Sequence, residues 1–228
     1  CGGVCLMSQK PLKVAVLVSG SGSNLQVMID AMKSGSLAID IVGVISNRED
    51  AYAITRAKDA GIQVSVLSHV PNGKRMSINT FEKYALQQIQ DWSPDLVVLA
   101  GFMRVLSAQF INNMPCAMIN LHPSLLPHYK GLDTHQRVLQ SGDKYHGCSI
   151  HVVTPKLDAG QVLTQAWLAV DVLDTPKSLA KRVQTLEHRL VPYTLDMMIK
   201  KVIDIDNIMA GRMNGMIPLP LKFWMDDE

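Results

Sequence analysis

The sequence has little of what marks specialised protein classes. Aromatic residues make up 5% of its 228 residues, charged residues 18%, and the formal net charge is only +2. Such an even balance offers no basic surface for a polyanion, so we expect no nucleic-acid partner. No apolar run approaches the roughly 18 residues that a membrane span requires, so we also expect no membrane partner. The longest run, residues 95–101, has the length of a buried strand.

Cysteines are equally scarce, and their spacing excludes the usual zinc motifs. The four cysteines form no C-x-x-C pair, and no histidine lies at zinc-finger spacing from them. Reduced thiols in a cytoplasmic protein without a metal site are therefore predicted. Cys148 stands between His146 and His151, which raises the alternative of a cysteine nucleophile. That alternative is disfavoured because neighbours in sequence need not share a site and buried cysteines are usually inert.

Apolar runs and helix signals alternate along the first half of the chain. The pattern predicts strands at residues 12–18, 39–46, 62–67, 95–100 and 117–122, with helices between them. Such βα units favour an α/β fold whose mostly parallel sheet is Rossmann-like in its N-terminal half. Further strands at 146–153 and 162–172, joined by a short connection, indicate an antiparallel edge in the C-terminal half. A helix should follow from Thr175 to about Lys201.

The chain is predicted to be one domain. It shows no repeat, low-complexity segment or linker. We expect the domain to cover residues 7–228, with residues 1–6 as a leader or an artificial extension. Residues 213–228, which hold two prolines, receive no assignment.

A strand end carries an informative pair of polar residues, Asn120 and His122. Residues 117–121 are mostly apolar and Pro123 cannot continue a ladder, so a strand ending at His122 is predicted. Side chains two apart share one face, and open α/β sheets bind ligands at the carboxyl ends of their strands. An amide beside an imidazole suits acyl transfer. That reaction needs a hydrogen-bond donor to the developing oxyanion and a group that carries protons near neutral pH. Asn-x-His alone is equally consistent with a polar strand end and a solvated histidine.

A glycine-rich turn, residues 18–25, lies between the first predicted strand and helix. Backbone N–H groups and a helix N-terminus form an anion site there, so we expect Gly22, Ser23 and Asn24 to hold a terminal phosphate. A dinucleotide fits less well because Leu25 stands where the third glycine of its fingerprint would be. Close approach of the backbone to the phosphate at Gly22 means that a Cβ there should block binding. A tight turn that uses glycine only for its geometry is the alternative.

Four motifs occur together in a recognisable order. They are Ser19-Gly20-Ser21-Gly22-Ser23-Asn24-Leu25-Gln26, Leu99-Ala100-Gly101-Phe102-Met103-Arg104, Asn120-Leu121-His122-Pro123-Ser124-Leu125-Leu126-Pro127 and Leu157-Asp158-Ala159-Gly160. With these motifs, residues 13–192 resemble the phosphoribosylglycinamide formyltransferase family, the folate-dependent transformylases of de novo purine synthesis. The third motif is typical of folate-dependent formyltransferases as a group, and the first distinguishes this family among them.

The resemblance implies a reaction and its participants. The formyl group of 10-formyltetrahydrofolate would pass to the amine of glycinamide ribonucleotide, giving formylglycinamide ribonucleotide and tetrahydrofolate. Small-molecule substrates, no metal, and a monomer or homodimer are expected. Asp158 should lie close to His122 and favour its charged form.

The same resemblance implies which residues act. The catalytic residues would be Asn120, His122 and Asp158. The ribonucleotide would lie on Gly22, Ser23, Asn24, Gln184, Thr185, Leu186 and Glu187. The folate would lie beside Met103, Arg104, Val105, Leu106, Thr154, Pro155, Lys156 and Leu157.

The chain departs from the family pattern at two places. Ile78 stands where the family has a folate-contacting arginine, with Arg75 three residues earlier. Ala159 replaces the first glycine of an Asp-Gly-Gly segment, which should stiffen that loop slightly. Among the remaining histidines, His151 alternates along a strand and could support the site, whereas His135 is expected to face solvent or substrate.

Two rival functions stay open at this stage. A 10-formyltetrahydrofolate hydrolase would use the same three residues with water as the acceptor, but such enzymes usually carry an N-terminal regulatory domain, and this chain is expected to start at its first strand. A non-catalytic nucleotide-binding module would bind phosphate without needing Asn120 or His122. A methionyl-tRNA formyltransferase is disfavoured because it needs an RNA-binding domain and a basic surface.

Overall fold

The structure is a computed structural model that describes residues 10–68, 76–210 and 221–224. The predictions for the leader 1–6 and for Arg75 lie outside these residues. The strands are β1 (Leu12–Val18), β2 (Ile39–Ser46), β3 (Val64–Val66), β4 (Leu96–Leu99), β5 (Ala117–His122), β6 (Tyr145–Val152), β7 (Val162–Ala169) and β8 (Leu221–Trp224). The helices are α1 (Ser23–Ser34), α2 (Tyr52–Asp59), α3 (Ile78–Trp92), α4 (Ala108–Asn112), α5 (Thr134–Ser141), α6 (Pro176–Ile199) and α7 (Ile205–Met209).

One sheet organises these elements, with its strands in the order β3-β2-β1-β4-β5-β6-β7-β8. The first five strands in that order pair in parallel, and β6 pairs antiparallel with both β5 and β7. The predicted α/β fold with a parallel N-terminal half and an antiparallel C-terminal edge is confirmed. Beyond that edge, β8 pairs in parallel with β7, a strand that the sequence pattern did not predict.

The sheet is covered on both faces, because alternate residues of each central strand enter different cores. In β1, Val14 and Val16 belong to the core under α1 and α6, whereas Ala15 and Leu17 face the core under α3. All four side chains are fully buried. This explains why the parallel strands are continuously apolar instead of alternating with polar residues.

The predicted strand at 162–172 is wrong at its C-terminal end, since β7 stops at Ala169. The chain turns instead, because Asp171 Oδ1 accepts the Leu173 N–H at 2.8 Å and the Asp171 carbonyl accepts the Asp174 N–H at 3.0 Å. Val172 is consequently 98% exposed. Local side-chain hydrogen bonds of aspartate compete with a sheet ladder, and here they end it.

Candidate active site

The polar segments singled out in the sequence meet at the carboxyl edge of the sheet. Leu99 at the end of β4 pairs with Leu17 of β1 on one side and with Asn120 of β5 on the other. The chain leaves β1 toward β2 in one direction and returns at β4 on the opposite side of β1, which makes this a topological switch point. Ser19 Oγ joins the loops there, since it accepts the Met103 N–H at 2.8 Å and donates to Asn47 Oδ1, in the loop after β2, at 2.6 Å.

Asn120 is oriented by a histidine on the neighbouring strand. Its Nδ2 donates to Nε2 of His151 at 3.1 Å, across the register pair that joins β5 to β6. His151 Nδ1 donates in turn to the Val152 carbonyl at 2.9 Å, and Nε2 is the acceptor because the Asn120 Nδ2 can only donate. The second N–H of the Asn120 amide is therefore left to donate elsewhere. The supporting role foreseen for His151 has a geometric basis.

His122 is a buried imidazole with a polar neighbour at each ring nitrogen. Nε2 donates to the Tyr129 carbonyl at 2.9 Å, and Nδ1 lies 3.5 Å from Asp158 Oδ2. Burial lowers the pKa of His122, and the opposing effects of the Tyr129 hydrogen bond and the Asp158 charge do not offset it. Asp158 does favour the charged form of His122, as expected, but desolvation is the larger effect, so the net shift of the pKa is downward. Nδ1 is the position at which this ring gains and loses a proton.

Asp158 completes the cluster from the loop between β6 and β7. Its Oδ2 accepts the Gly131 N–H at 2.9 Å, and its Oδ1 lies 3.6 Å from His151 Nε2. Burial raises the pKa of Asp158, but the close approach of His151, the hydrogen bond from Gly131 and the nearby His122 together outweigh that effect and lower it. The carboxylate is thus held ionised beside His122.

The backbone of this loop is tightly constrained around Asp158. Asp158 itself has φ 44°, a left-handed conformation that aspartate tolerates at a cost of order 1 kcal/mol. At Gly160 an added Cβ would lie 1.8 Å from the Val152 carbonyl oxygen, so only glycine fits. Ala159, by contrast, is absent from the positive-φ residues of the described chain, so this backbone accepts an alanine where the family has glycine.

The loop after β5 is fixed by a buried polar network that sequence reasoning missed. Ser149 Oγ donates to the Ser124 carbonyl at 2.6 Å and accepts the Leu126 N–H at 3.0 Å. Gln165 Nε2, from β7, bonds both to that hydroxyl and to the Leu126 carbonyl at 2.9 Å. Ser149 stands two residues before His151 on β6, so the shared strand face was the available signal. These bonds hold the segment that supplies the Tyr129 carbonyl to His122.

His135 does not face solvent or substrate as expected. It lies half-buried on α5, where its Nδ1 is 2.9 Å from Nε2 of the buried His146. Burial lowers the pKa of His146 to about 3. This pair therefore packs α5 against β6 as neutral imidazoles.

The glycine-rich turn lies against α6. Gln184 Nε2 donates to Ser23 Oγ at 3.1 Å, and Asn24 Nδ2 donates to Glu187 Oε2 at 2.9 Å. Asn24 Oδ1 is buried and has no hydrogen-bond partner among the described residues. Burial raises the pKa of Glu187, and the bond from Asn24 only partly offsets this.

The structure changes the role assigned to Gly22. A Cβ there would lie 2.6 Å from the Ala53 Cβ of α2, and the residue has φ 69°. Packing against α2 thus already excludes a side chain at Gly22. A substitution there would disturb this packing before it could cause the steric block of a phosphate that was expected from the sequence.

The remaining ribonucleotide candidates on α6 do not join this cluster. Leu186 is 2% exposed and belongs to the hydrophobic core. Thr185 is exposed, and its hydroxyl donates to the Lys181 carbonyl of its own helix at 3.3 Å.

The folate candidates form two apolar borders of the same edge. Met103 and Val105 are 66% and 69% exposed, whereas Leu106 between them and α4 is buried. On the other border Leu157 is 52% exposed. Arg104 places its guanidinium carbon 4.9 Å from the centre of the Phe81 ring.

The remaining residues of the second border lie at the surface. Pro155 and Lys156 are exposed, and Thr154 Oγ1 donates to the Lys156 carbonyl at 3.1 Å. Across residues 10–68, 76–210 and 221–224, no group of three histidine, cysteine or acidic side chains could hold a metal ion. No helix in the described part of the chain is long and apolar enough to cross a membrane.

Known proteins share both the sequence and this arrangement of elements. Phosphoribosylglycinamide formyltransferase of Escherichia coli (strain K12) is 41% identical over 184 residues, which span 81% of this chain and 85% of that protein. The trifunctional purine biosynthetic protein adenosine-3 of Bos taurus is 40% identical over 189 residues, and the match spans 82% of this chain but 18% of that longer protein.

Solved structures agree with these relatives. The phosphoribosylglycinamide formyltransferase of Coxiella burnetii is 45% identical with a TM-score of 0.77, covering 84% of this chain and 88% of that one. The Brucella melitensis enzyme of the same name is 38% identical with a TM-score of 0.76, covering 83% and 96%. The profile of the formyl transferase family matches residues 12–195. This chain belongs to the formyl transferase family.

Proposed function

We propose that the protein transfers the formyl group of 10-formyltetrahydrofolate to the amine of glycinamide ribonucleotide, a step of de novo purine synthesis. The observation that carries this is the convergence of Asn120, His122 and Asp158 at the switch point of the sheet. Asn120 bonds to His151, and His122 and His151 each place a ring nitrogen within 3.6 Å of an Asp158 carboxylate oxygen. The names and the 38–45% identities of its relatives support the same reaction.

The chemistry follows from the protonation states in the cluster. As the amine nitrogen bonds to the formyl carbon, negative charge develops on the formyl oxygen, and the second N–H of Asn120 donates to it. Neutral His122 takes the proton that the amine loses, at Nδ1, and Asp158 stabilises the imidazolium. The proton then passes to N10 of the folate as the bond between carbon and N10 breaks, which regenerates neutral His122.

The acceptor fits the turn between β1 and α1. Backbone N–H groups at Gly22, Ser23 and Asn24 lie at the beginning of α1, where a phosphate is favoured. The unpaired Asn24 Oδ1 and the Glu187 carboxylate suit hydroxyl or amine donors of a ribonucleotide. Thr185 and Leu186 are retained in the proposal only as parts of the helix that carries Gln184 and Glu187.

The folate fits the apolar borders of the site. The exposed side chains of Met103, Val105 and Leu157 offer contact surface for a ring system beside the His122 cluster. Arg104, Leu106, Thr154, Pro155 and Lys156 complete the two segments that we assign to this substrate.

The wider organisation is proposed on the same basis. One formyltransferase domain would cover residues 7–228, acting on small molecules as a monomer or homodimer without nucleic acid, membrane or metal. A cytoplasmic location is supported by Cys116 and Cys148, which are both free and buried.

A single assay tests the proposed function. Purified protein is mixed with 10-formyltetrahydrofolate, and tetrahydrofolate is followed with and without glycinamide ribonucleotide. We expect release that depends on the ribonucleotide and yields its formylated product. Equal release of formate without ribonucleotide would instead establish the hydrolase, and ribonucleotide binding without turnover would establish a non-catalytic module.

A further inference from the structure

The first turn of α3 serves as a packing surface for the loop that follows β4. Phe81 is fully buried, and its ring stacks on Phe102 with centroids 5.8 Å apart. The same ring lies under the Arg104 guanidinium. Two residues of the loop therefore contact one aromatic side chain of α3.

The next residue of α3, Glu82, is bound to the end of this loop. It is 7% exposed, and its two carboxylate oxygens accept the N–H and the hydroxyl of Ser107, each at 2.6 Å. Ser107 Oγ also accepts the Phe110 N–H at 3.1 Å, as the N-cap of α4. A buried carboxylate is tolerated when its oxygens are hydrogen-bonded in this way, and these charge-assisted bonds are stronger than neutral ones.

The start of the loop is held independently, because Ser19 accepts the Met103 N–H. Between the two anchors, Met103 and Val105 project into solvent while Leu106 is buried. A loop held at both ends keeps two apolar side chains exposed in a fixed geometry. Such preorganisation lowers the ordering cost when a ligand binds to them.

We propose that Glu82 is a positioning residue for the folate co-substrate, acting through the loop 103–107. This inference rests on the proposed function, which assigns 103–106 to the folate. Both carboxylate oxygens of Glu82 are bound by Ser107, so Glu82 acts on the folate through that residue. Its loss should weaken folate binding selectively and leave the Asn120 and His122 cluster on β5 intact.

The test compares Glu82→Gln with Asp91→Asn, a control on the same helix. Asp91 is exposed, and within the described part of the chain its side chain accepts a single bond, from Gln87 four residues earlier on α3. In Glu82→Gln the amide NH₂ replaces an acceptor that faces a donor. We expect the KM for 10-formyltetrahydrofolate and the Kd of a folate analogue to rise about tenfold, the loss expected when a buried donor loses its acceptor. The KM for the ribonucleotide should change less than about twofold, as should every constant of Asp91→Asn.

Ser107 provides a second variant in case Glu82→Gln folds poorly. Ser107→Ala removes the hydroxyl that donates one of the two bonds to Glu82 and should raise the KM for 10-formyltetrahydrofolate. Ser107→Thr keeps a hydroxyl at this position and should have a KM close to that of the wild type. Hydrogen exchange in residues 103–107 should become faster in Glu82→Gln and Ser107→Ala. A purely structural role would instead raise both KM values or lower kcat alone, and that result would overturn the inference. So would wild-type folate binding in a folded Glu82→Gln, whereas a wild-type protein without ribonucleotide-dependent turnover would contradict the proposed function itself.

Discussion

Nδ1 of His122 lies 3.5 Å from Oδ2 of Asp158, and each side chain is only 7% exposed. The approach of this carboxylate raises the pKa of the imidazole, while burial lowers it by more. In this pair a neutral imidazole, which can act as a base, lies next to an ionised carboxylate. Proton transfer to His122 would turn this arrangement into a buried ion pair.

The first prediction concerns this pair as a unit. In a double-mutant cycle, His122→Ala together with Asp158→Ala should cost much less in kcat than the product of the two single losses, because residues that act together are non-additive. Rates of the four proteins at saturating substrates measure this. Fully multiplicative losses would show that the two residues act independently.

The second prediction concerns the titration of His122. NMR should give it a pKa below 6.5, with the signal assigned by its absence in His122→Gln. Asp158→Asn should lower that pKa further, because it removes the charge that favours the imidazolium. The acid limb of kcat/KM in the wild type should follow the same protonation. A rise of the pKa in Asp158→Asn would contradict the electrostatic role of the carboxylate.

The same shift has a consequence for stability. The folded protein binds a proton at His122 less readily than the unfolded chain does, since the folded-state pKa is the lower one. The contribution of His122 to the free energy of unfolding is therefore fully present at pH values above its unfolded-state pKa near 6.5. It decreases as the pH falls below that value toward the lower folded-state pKa.

A third prediction tests Asn120 as the hydrogen-bond donor to the oxyanion. Asn120→Ala should lower kcat by about 10²–10³, the usual loss for one such donor. Circular dichroism and thermal melting should stay close to wild type because the side chain is only partly buried. Asn79→Ala, an exposed asparagine on α3, is the matched control. A folded Asn120→Ala protein with more than about a tenth of wild-type turnover excludes this role.

The fourth prediction separates packing from ligand contact at Gly22. Gly22→Ala should destabilise the protein by about 1–3 kcal/mol more than Gly35→Ala. Both glycines have a φ near 70°, but an added Cβ at Gly35 meets no atom within 4 Å. Urea unfolding of the two variants measures the difference. Ala53→Gly should restore part of the stability in Gly22→Ala, and equal stabilities would remove the clash as an explanation.

The last prediction assigns the acceptor site without disturbing Gly22. Gln184→Ala removes the bond to Ser23 at the surface of α6, so the KM for glycinamide ribonucleotide should rise while the Kd of a folate analogue stays unchanged. Thr185→Ala, next to it on the same helix, should leave both constants unaltered. Weakened folate binding with a normal ribonucleotide KM would mean that the turn serves the other ligand.

The sequence by itself determined the first seven strands, the turn after β1 and the placement of Asn120 and His122 on one face at the end of β5. These features depend on local spacing: apolar runs define buried strands, proline ends β5, and residues two apart share a face. The predicted C-terminal end of β7 was wrong because the prediction followed the apolar run. The hydrogen bonds of the aspartate turn that ends the strand are not encoded in hydrophobicity.

The tertiary structure alone decided the properties that arise between distant segments. The direction of the His122 pKa depends on how deeply the assembled loops bury the ring, and Gly22 is required because α2 packs against it. The bond between Glu82 and Ser107 joins two helices that carry no shared sequence signal. Desolvation and steric fit are sums over neighbours that the fold brings together, so they have no counterpart in the linear spacing of residues.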